Sequence, residues 1–241
     1  MQSGINKNEF EKMAFSDANT DIKNEIQIEI KEFMAVQQLY RAAIKEIRTK
    51  FEILDDEFKV RFDYNPIHQI ESRLKSPQSI LEKLKRKGFD ISVKSIRENL
   101  FDVAGIRVIC NYADDIYKIA EMLTRQDDIT LISTKDYIEH PKENGYRSLH
   151  LIVSVPIFLA EKTEDVMAEI QIRTIAMNLW ASLEHELRYK SDENVSDELK
   201  GRLKDSAEAI ANIDMEMQSI FREIKDKGGE SDYSSKCRGM R

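Results

Sequence analysis

Long apolar runs are missing from this sequence. None approaches the roughly 20 residues that a membrane-spanning helix needs, which argues against such a span. Cysteine is scarce: Cys110 falls in an apolar, strand-like run and Cys237 in a polar tail, so no disulfide between them is expected. Neither lies in a zinc-type spacing. An excess of basic charge is also lacking. With 37 Lys and Arg against 44 Asp and Glu, the formal net charge is −7, which argues against a protein whose main work is to coat nucleic acid. A local basic site can still hold a polyanion. His68, His140 and His185 have no metal-site spacing relative to one another, and there is no nucleophilic serine motif or Walker-type glycine loop. No internal repeat and no dividing linker is visible. Met1 to Phe15 is polar and mixed in charge, unlike a secretion signal, so a cytoplasmic location without membrane attachment is expected.

What is present is helical periodicity at both ends and strand-like alternation between them. Ile26, Ile30, Phe33, Tyr40, Ile44, Ile47, Phe51, Leu54 and Phe58 step in threes and fours, predicting a long helix that ends near Asp63 to Pro66. Leu199, Leu203, Ile210, Ile213, Met217, Ile220 and Ile224 predict a second long helix with one common apolar face, closed by Gly228-Gly229. Between them, strands are expected at Ile70 to Lys75, Ile106 to Cys110, Thr130 to Ile138, Tyr146 to Val155 and Val166 to Arg173. Ser76-Pro77 supplies an N-cap and first-turn proline for a helix to Lys87 that Gly88 stops. Further helices are expected at Asp114 to Arg125 and Thr174 to Tyr189. The fold class is α+β: a mixed sheet of about five strands, flanked by helices, with long N- and C-terminal helices. Residues 1–19 are expected to be a weakly ordered extension, 20–227 a single domain with its core at about 64–190, and 228–241 a mobile tail.

Four segments carry chemistry-bearing residues. In the first, Arg73 and Lys75 leave a strand on one face just before a helix whose N-terminal amides favour an anion. Ser79 and Lys83, four apart, share a face of that helix, so the group can line a triphosphate. A solvated basic helix face is the alternative. In the second, Asp102 stands at the mouth of an apolar strand, where a carboxylate suits magnesium, and Arg107 lies opposite Ile106 and Val108. An ordinary Asp–Arg surface pair would read the same way. In the third, Asn144-Gly145 marks a tight turn, after which Tyr146, Ser148 and His150 are expected on one face and Leu149, Leu151, Val153 and Val155 on the other. Lys135 and Lys142 lie upstream, placed to neutralise phosphate. In the fourth, Ala168, Ile170 and Ile172 point inward while Glu169, Gln171 and Arg173 take the opposite face, where Glu169 can bind a metal or take a proton.

Taken together, these segments resemble the synthetase domain of the RelA/SpoT family, and in particular the stand-alone small alarmone synthetases. The resemblance runs from about Tyr64 to Lys190. It rests on Ser72-Arg73-Leu74-Lys75, Asp102 to Arg107, Asp136-Tyr137-Ile138, Asn144 to His150 and Glu169 to Thr174, in this order and at these separations. Tyr64 to Ile67 and Gly88 to Val93 look most like the RelP type. The resemblance implies a nucleotidyltransferase-like fold and transfer of pyrophosphate from ATP-Mg to the 3′-hydroxyl of GDP or GTP, releasing AMP. It implies that Asp102 and Glu169 hold Mg²⁺, with Glu169 also the base. Arg73 and Arg107 would sandwich adenine, and Lys75, Ser79 and Lys83 would contact the ATP phosphates. Tyr146 would stack on guanine, with Lys135, Lys142, His150, Gln171 and Asn178 around the acceptor. A homotetramer is implied. The family's hydrolase motif of paired His-Asp is not found before Pro66, so synthesis without hydrolysis is expected. The alternatives are a catalytically inactive or RNA-binding regulatory homologue, although the acidic balance gives RNA no help, and a nucleotidyltransferase that extends RNA. The last would be expected to place a close carboxylate pair on one strand, which is lacking around Asp102.

Overall fold

A computed structural model describes residues 20–190 and 196–228, with side chains over 30–187 and 196–226. Along the chain it forms α1 (Thr20–Arg61), β1 (Ile67–Leu74), α2 (Pro77–Lys87), α3 (Val93–Asn99), β2 (Ala104–Cys110), α4 (Ala113–Thr124), β3 (Thr130–Asp136), β4 (Leu149–Phe158), β5 (Thr163–Thr174), α5 (Ile175–Lys190) and α6 (Asp197–Gly228). The strands make one five-stranded sheet in the order β1-β2-β5-β4-β3. Only β2 and β5 run parallel; the other neighbours are antiparallel. The expected α+β class and mixed sheet are what the chain adopts. The expectations for residues 1–19 and 229–241 lie outside the described residues.

Alternation decides which face of the sheet is buried. Ile106, Val108 and Cys110 of β2, Leu151, Val153 and Val155 of β4, and Ala168, Ile170 and Ile172 of β5 all join one apolar core. Val36, Leu39, Tyr40, Ala43, Ile47, Phe51 and Phe58 of α1 join it from outside the sheet, as do Ile116, Ile119 and Leu123 of α4. The inward stripe of α1, from Val36 to Phe58, keeps a 3.6-residue period as the helix crosses β1, β2, β5 and β4. The opposite face of the sheet is thereby left to polar side chains.

Local signals set the elements that carry those side chains. Ser76 caps α2 by accepting from the Ser79 amide, Pro77 fills its first turn, and Gly88 ends it at φ 70°, donating to the Leu84 and Lys85 carbonyls. The short helix α3 was not anticipated; Ser92 caps it and Ile96 is buried beneath it. Strand β4 begins at Leu149 rather than Tyr146. Ser148 therefore does not share the open face with Tyr146 and His150: it is fully buried, and its hydroxyl donates to the Ile172 carbonyl at 3.3 Å. The single apolar face expected on the C-terminal helix also divides in two. Ala207, Asp214 and Gln218 are buried, with Leu203, Ile210 and Phe221 half-buried, whereas Leu199, Ile213, Met217, Ile220 and Ile224 face outward.

Candidate active site

Strand register lines up the polar face in rows. One row runs Glu71, Arg107, Gln171, His150, Lys135 across all five strands. The next runs Arg73, Gly105, Glu169, Ile152, Ser133. Gly105 leaves the middle of that row bare between Arg73 and Glu169. A Cβ there would meet the Arg73 carbonyl oxygen at 3.4 Å, an ordinary van der Waals contact.

Asp102 lies in the turn ahead of β2. Its Oδ2 accepts from Lys75 Nζ at 2.7 Å and Lys83 Nζ at 2.6 Å, which draws the end of β1 and the flank of α2 together. Burial pushes this carboxyl up, but the two ammonium groups outweigh it and hold it below the usual carboxylate range. Its Oδ1 is buried with no hydrogen-bond partner. Glu169, on the adjacent strand, is pushed up by burial and drawn down by His150 and Gln171, with a net lowering; the charge of Asp102 opposes it. His150 Nδ1 stands 3.3 Å from Glu169 Oε1, and Gln171 Nε2 donates to Glu169 Oε2 at 2.9 Å. The charge of Asp102, in the turn ahead of β2, thus acts on the carboxylate of Glu169 on β5.

Beyond Glu169 the network continues to Tyr146. Its hydroxyl lies 2.8 Å from His150 Nε2 and accepts from Arg173 Nη2. Those contacts fit a His150 tautomer that carries its proton on Nδ1 toward Glu169. Arg173 is only 4% exposed, donates to Gln171 Oε1 at 2.9 Å, and holds its guanidinium 4.9 Å from the Tyr146 ring centre. Asn178 touches the same network, its Oδ1 3.5 Å from Arg173 Nη1. Lys142 Nζ stands 4.6 Å from the ring centres of both Tyr146 and Tyr137. Burial and the charges of Arg173 and Lys135 hold its ammonium below the usual lysine range, against a pull from Glu169.

Most residues expected from sequence therefore fall on one polar face. Asp102, Lys75 and Lys83 form one cluster; Glu169, His150, Gln171, Tyr146 and Lys142 form a second. Arg107 sits level with both but pairs with Glu71 at 3.2 Å. Arg73 is exposed beside Gly105, and Lys135 is exposed beside His150. Ser79 is not drawn in: its hydroxyl accepts from Ser76 Oγ at 2.9 Å. Arg173 and Tyr137 were missed as site residues. The alternation that placed Glu169 and Gln171 on the open face also placed Arg173 there, and Tyr137 lay within a motif already marked. Glu184, which the sequence offers near Trp180 as support for the rear wall of the site and without chemistry, accepts from Asn144 Nδ2 at 3.1 Å and so steadies the turn that carries Tyr146.

The donor set suits a hard divalent cation. The partnerless Asp102 Oδ1 is a buried carboxylate oxygen, and Glu169 supplies a second carboxylate from the neighbouring strand. Among the described residues no cluster of three or more His, Cys, Asp or Glu could hold a metal ion. Magnesium characteristically takes one or two carboxylates and completes its shell with water and substrate phosphate.

Residues 72–194 match the family described as the region found in RelA / SpoT proteins. The chain is 44% identical over 186 residues to GTP pyrophosphokinase YwaC of Bacillus subtilis, covering 77% of this chain and 89% of that protein. It is 38% identical over 200 residues to GTP pyrophosphokinase YjbM of the same organism, covering 83% and 92%. Among solved structures, small alarmone synthetase 2 from B. subtilis superposes with a TM-score of 0.73 at 42% identity, over 80% of this chain and 99% of that one. Small alarmone synthetase 1 from B. subtilis bound to its product pppGpp superposes with a TM-score of 0.72 at 39% identity, over 77% and 94%. This chain belongs to the RelA/SpoT family.

Proposed function

We propose that the protein is a (p)ppGpp synthetase, transferring pyrophosphate from ATP to the 3′-hydroxyl of GDP or GTP and releasing AMP, without hydrolase activity. The observation that carries this reading is the placement of Glu169. It is an ionised carboxylate between a basic cluster (Lys75, Lys83, with Arg73 and Arg107 alongside) and an aromatic, imidazole-bearing shelf (Tyr146, His150). The relatives' activity and the pppGpp and AMPCPP complexes of small alarmone synthetase 1 support it.

On this reading the two halves of the face take the two substrates. Arg73 and Arg107 hold adenine between them, and Lys75, Lys83 and Ser79 turn toward the ATP phosphates, the lysines leaving Asp102 to do so. Tyr146 stacks on guanine once Lys142 moves off its ring, and Lys135, Lys142, His150, Gln171 and Asn178 surround the acceptor. Asp102 and Glu169 would hold Mg²⁺, which when bound offsets charge on the transferring phosphates. Glu169 accepts the 3′-hydroxyl proton as the 3′-oxygen bonds to the β-phosphorus and the bond to the AMP oxygen breaks. Alignment and charge compensation carry such a reaction, with little covalent work by the protein.

The same reading makes the enzyme a cytoplasmic homotetramer. No helix among the described residues is long and apolar enough to cross a membrane. Incubation with ATP, Mg²⁺ and GDP or GTP tests the activity. AMP and a guanosine nucleotide bearing a 3′-diphosphate are expected in equal amounts; nucleotide incorporated into RNA, or no turnover, would overturn the reading.

A further inference from the structure

Helix α6 lies wholly beyond residues 72–194, which match the family, yet it bears directly on the acceptor shelf. Gly145, buried at φ 87°, approaches α6 so closely that a Cβ on it would lie 2.5 Å from the Ala207 Cβ. Arg147 Nη1 donates to the carbonyls of Gly145 at 3.2 Å and Ala207 at 3.4 Å, joining the turn to the helix. Helix α6 is in turn fixed to α5: Trp180 Nε1 donates to the Leu203 carbonyl at 3.1 Å and lies 3.0 Å from Ser206 Oγ. Thr174, whose hydroxyl caps the first turn of α5, donates to the buried Asp214 at 2.6 Å. Tyr146 packs against the small cluster of Trp180, Ala181 and Ala207 that results.

From these contacts we infer that α6 is a brace for the acceptor site, with Ala207 and Arg147 as positioning residues that set where Tyr146 stands relative to His150 and Glu169. The inference rests on the acceptor role proposed for Tyr146. Its physical basis is independent of any nucleotide. The turn is closed on itself by the Gly145 amide donating to the Lys142 carbonyl at 2.8 Å, and by the Tyr146 amide donating to Asn144 Oδ1 at 3.2 Å. A compact turn of this kind moves as a unit. Extra bulk at position 207 has no glycine side chain to displace and meets backbone, so it shifts the whole shelf.

The test is Ala207→Leu in the full chain, with Ala207→Ser as the variant that nearly keeps alanine's size. Ala207→Leu is expected to raise KM for the guanine nucleotide by about tenfold or more, since base stacking on an aromatic ring contributes roughly 5-fold to 150-fold in binding and is lost when the ring is displaced. KM for ATP is expected to stay within about twofold, the pattern of a lost binding contribution at one substrate only. Amide hydrogen exchange across 143–147, measured without nucleotide, is expected to quicken in Ala207→Leu and to match the parent in Ala207→Ser. Equal rises in both KM values would mark a general structural lesion and overturn the inference; so would unchanged acceptor KM and exchange in a folded Ala207→Leu. Should that variant not fold, Arg147→Met decides, because it removes both hydrogen bonds and adds no bulk: the same KM split and faster exchange are expected, and their absence overturns the brace. If the parent protein uses no guanine nucleotide, the proposed function fails, while the exchange comparison still judges the brace.

Discussion

Glu169 and Tyr146 stand at opposite ends of one hydrogen-bonded path through His150, and replacing each should harm a different kinetic constant. Glu169→Gln removes the proposed proton acceptor and one of the two proposed metal-holding carboxylates while keeping the side chain's shape, so kcat for AMP release should fall by about 10²-fold to 10⁴-fold with little change in thermal unfolding. A variant that keeps more than a tenth of the parent's rate would take Glu169 out of the chemistry. Tyr146→Ala removes the proposed stacking surface, worth about 1–3 kcal/mol, or roughly 5-fold to 150-fold in KM for the guanine nucleotide, with KM for ATP little altered. An acceptor KM equal to the parent's would contradict the shelf. Arg173 explains why the ring is available for this work: nearly buried and bonded to the Tyr146 hydroxyl, it fixes the phenol from the protein side, whereas Lys142 covers it from the exposed side. A base that stacks there would exchange places with an ammonium that burial holds below its usual range, and the ammonium would regain hydration as it leaves the ring.

Helix α4 shows how element packing adds a pH term. Its first turn is tied to α6: the Asp114 amide donates to Gln218 Oε1 at 3.0 Å, and Arg222 makes a two-pronged pair with the Asp114 carboxylate at 2.7 and 2.6 Å. Beneath it Asp115, 2% exposed, accepts from the Tyr64 hydroxyl at 2.5 Å. Burial pushes this carboxyl above its usual range, more than Tyr64 and Lys118 pull it down. A raised acid holds its proton more tightly in the folded chain than in the unfolded one. Its contribution is therefore full below about pH 4 and declines as pH rises through the folded pKa. Asp115→Asn keeps an acceptor for Tyr64 and never ionises, so its Tm relative to the parent should be higher at pH 8 than at pH 4, by about 2–4 °C for each kcal/mol. Equal Tm differences at the two values would show that burial does not penalise the charge. Legibility in the sequence followed the range of the forces at the same scale. The frame of α2, from Ser76-Pro77 to Gly88, is local capping chemistry and could be read directly. The short α3 has one buried apolar residue, Ile96, too little for a period, and so could not. Ser148 departs from the alternation because it lies before the first paired residue of β4, where a contact with β5 accompanies its burial. The open face of the sheet was legible from period two; the depth of Arg173 and the hold of Ser76 on Ser79 depend on tertiary and capping contacts that spacing does not encode.

At the scale of the whole molecule, the outward residues of the last two helices are what the single chain leaves unexplained. On α6, Ile213, Met217, Ile220 and Ile224 are 60%, 49%, 41% and 65% exposed, and their spacing of four, three and four is that of a coiled-coil seam. The helix's other face is already packed through Ala207, Asp214 and Gln218, so no further part of the described chain covers the seam. On α5, Ile175, Leu179 and Leu183 are 45%, 55% and 52% exposed at intervals of four. A tetramer of dihedral symmetry needs two different self-complementary contacts, and two separate apolar stripes supply surfaces for them. A second copy of this chain is the occupant that the proposed homotetramer assigns to each. Light scattering should give four chains for the parent. Met217→Glu combined with Ile220→Glu places like charges across the α6 contact and should yield two-chain particles, as should Leu183→Glu at the α5 contact, while all three changes together should yield monomers. Because these side chains are already exposed in the single chain, its secondary structure by circular dichroism should not change. Four-chain particles from the α6 double variant would show that the seam is not an interface, and a monomeric parent would reject the assembly altogether.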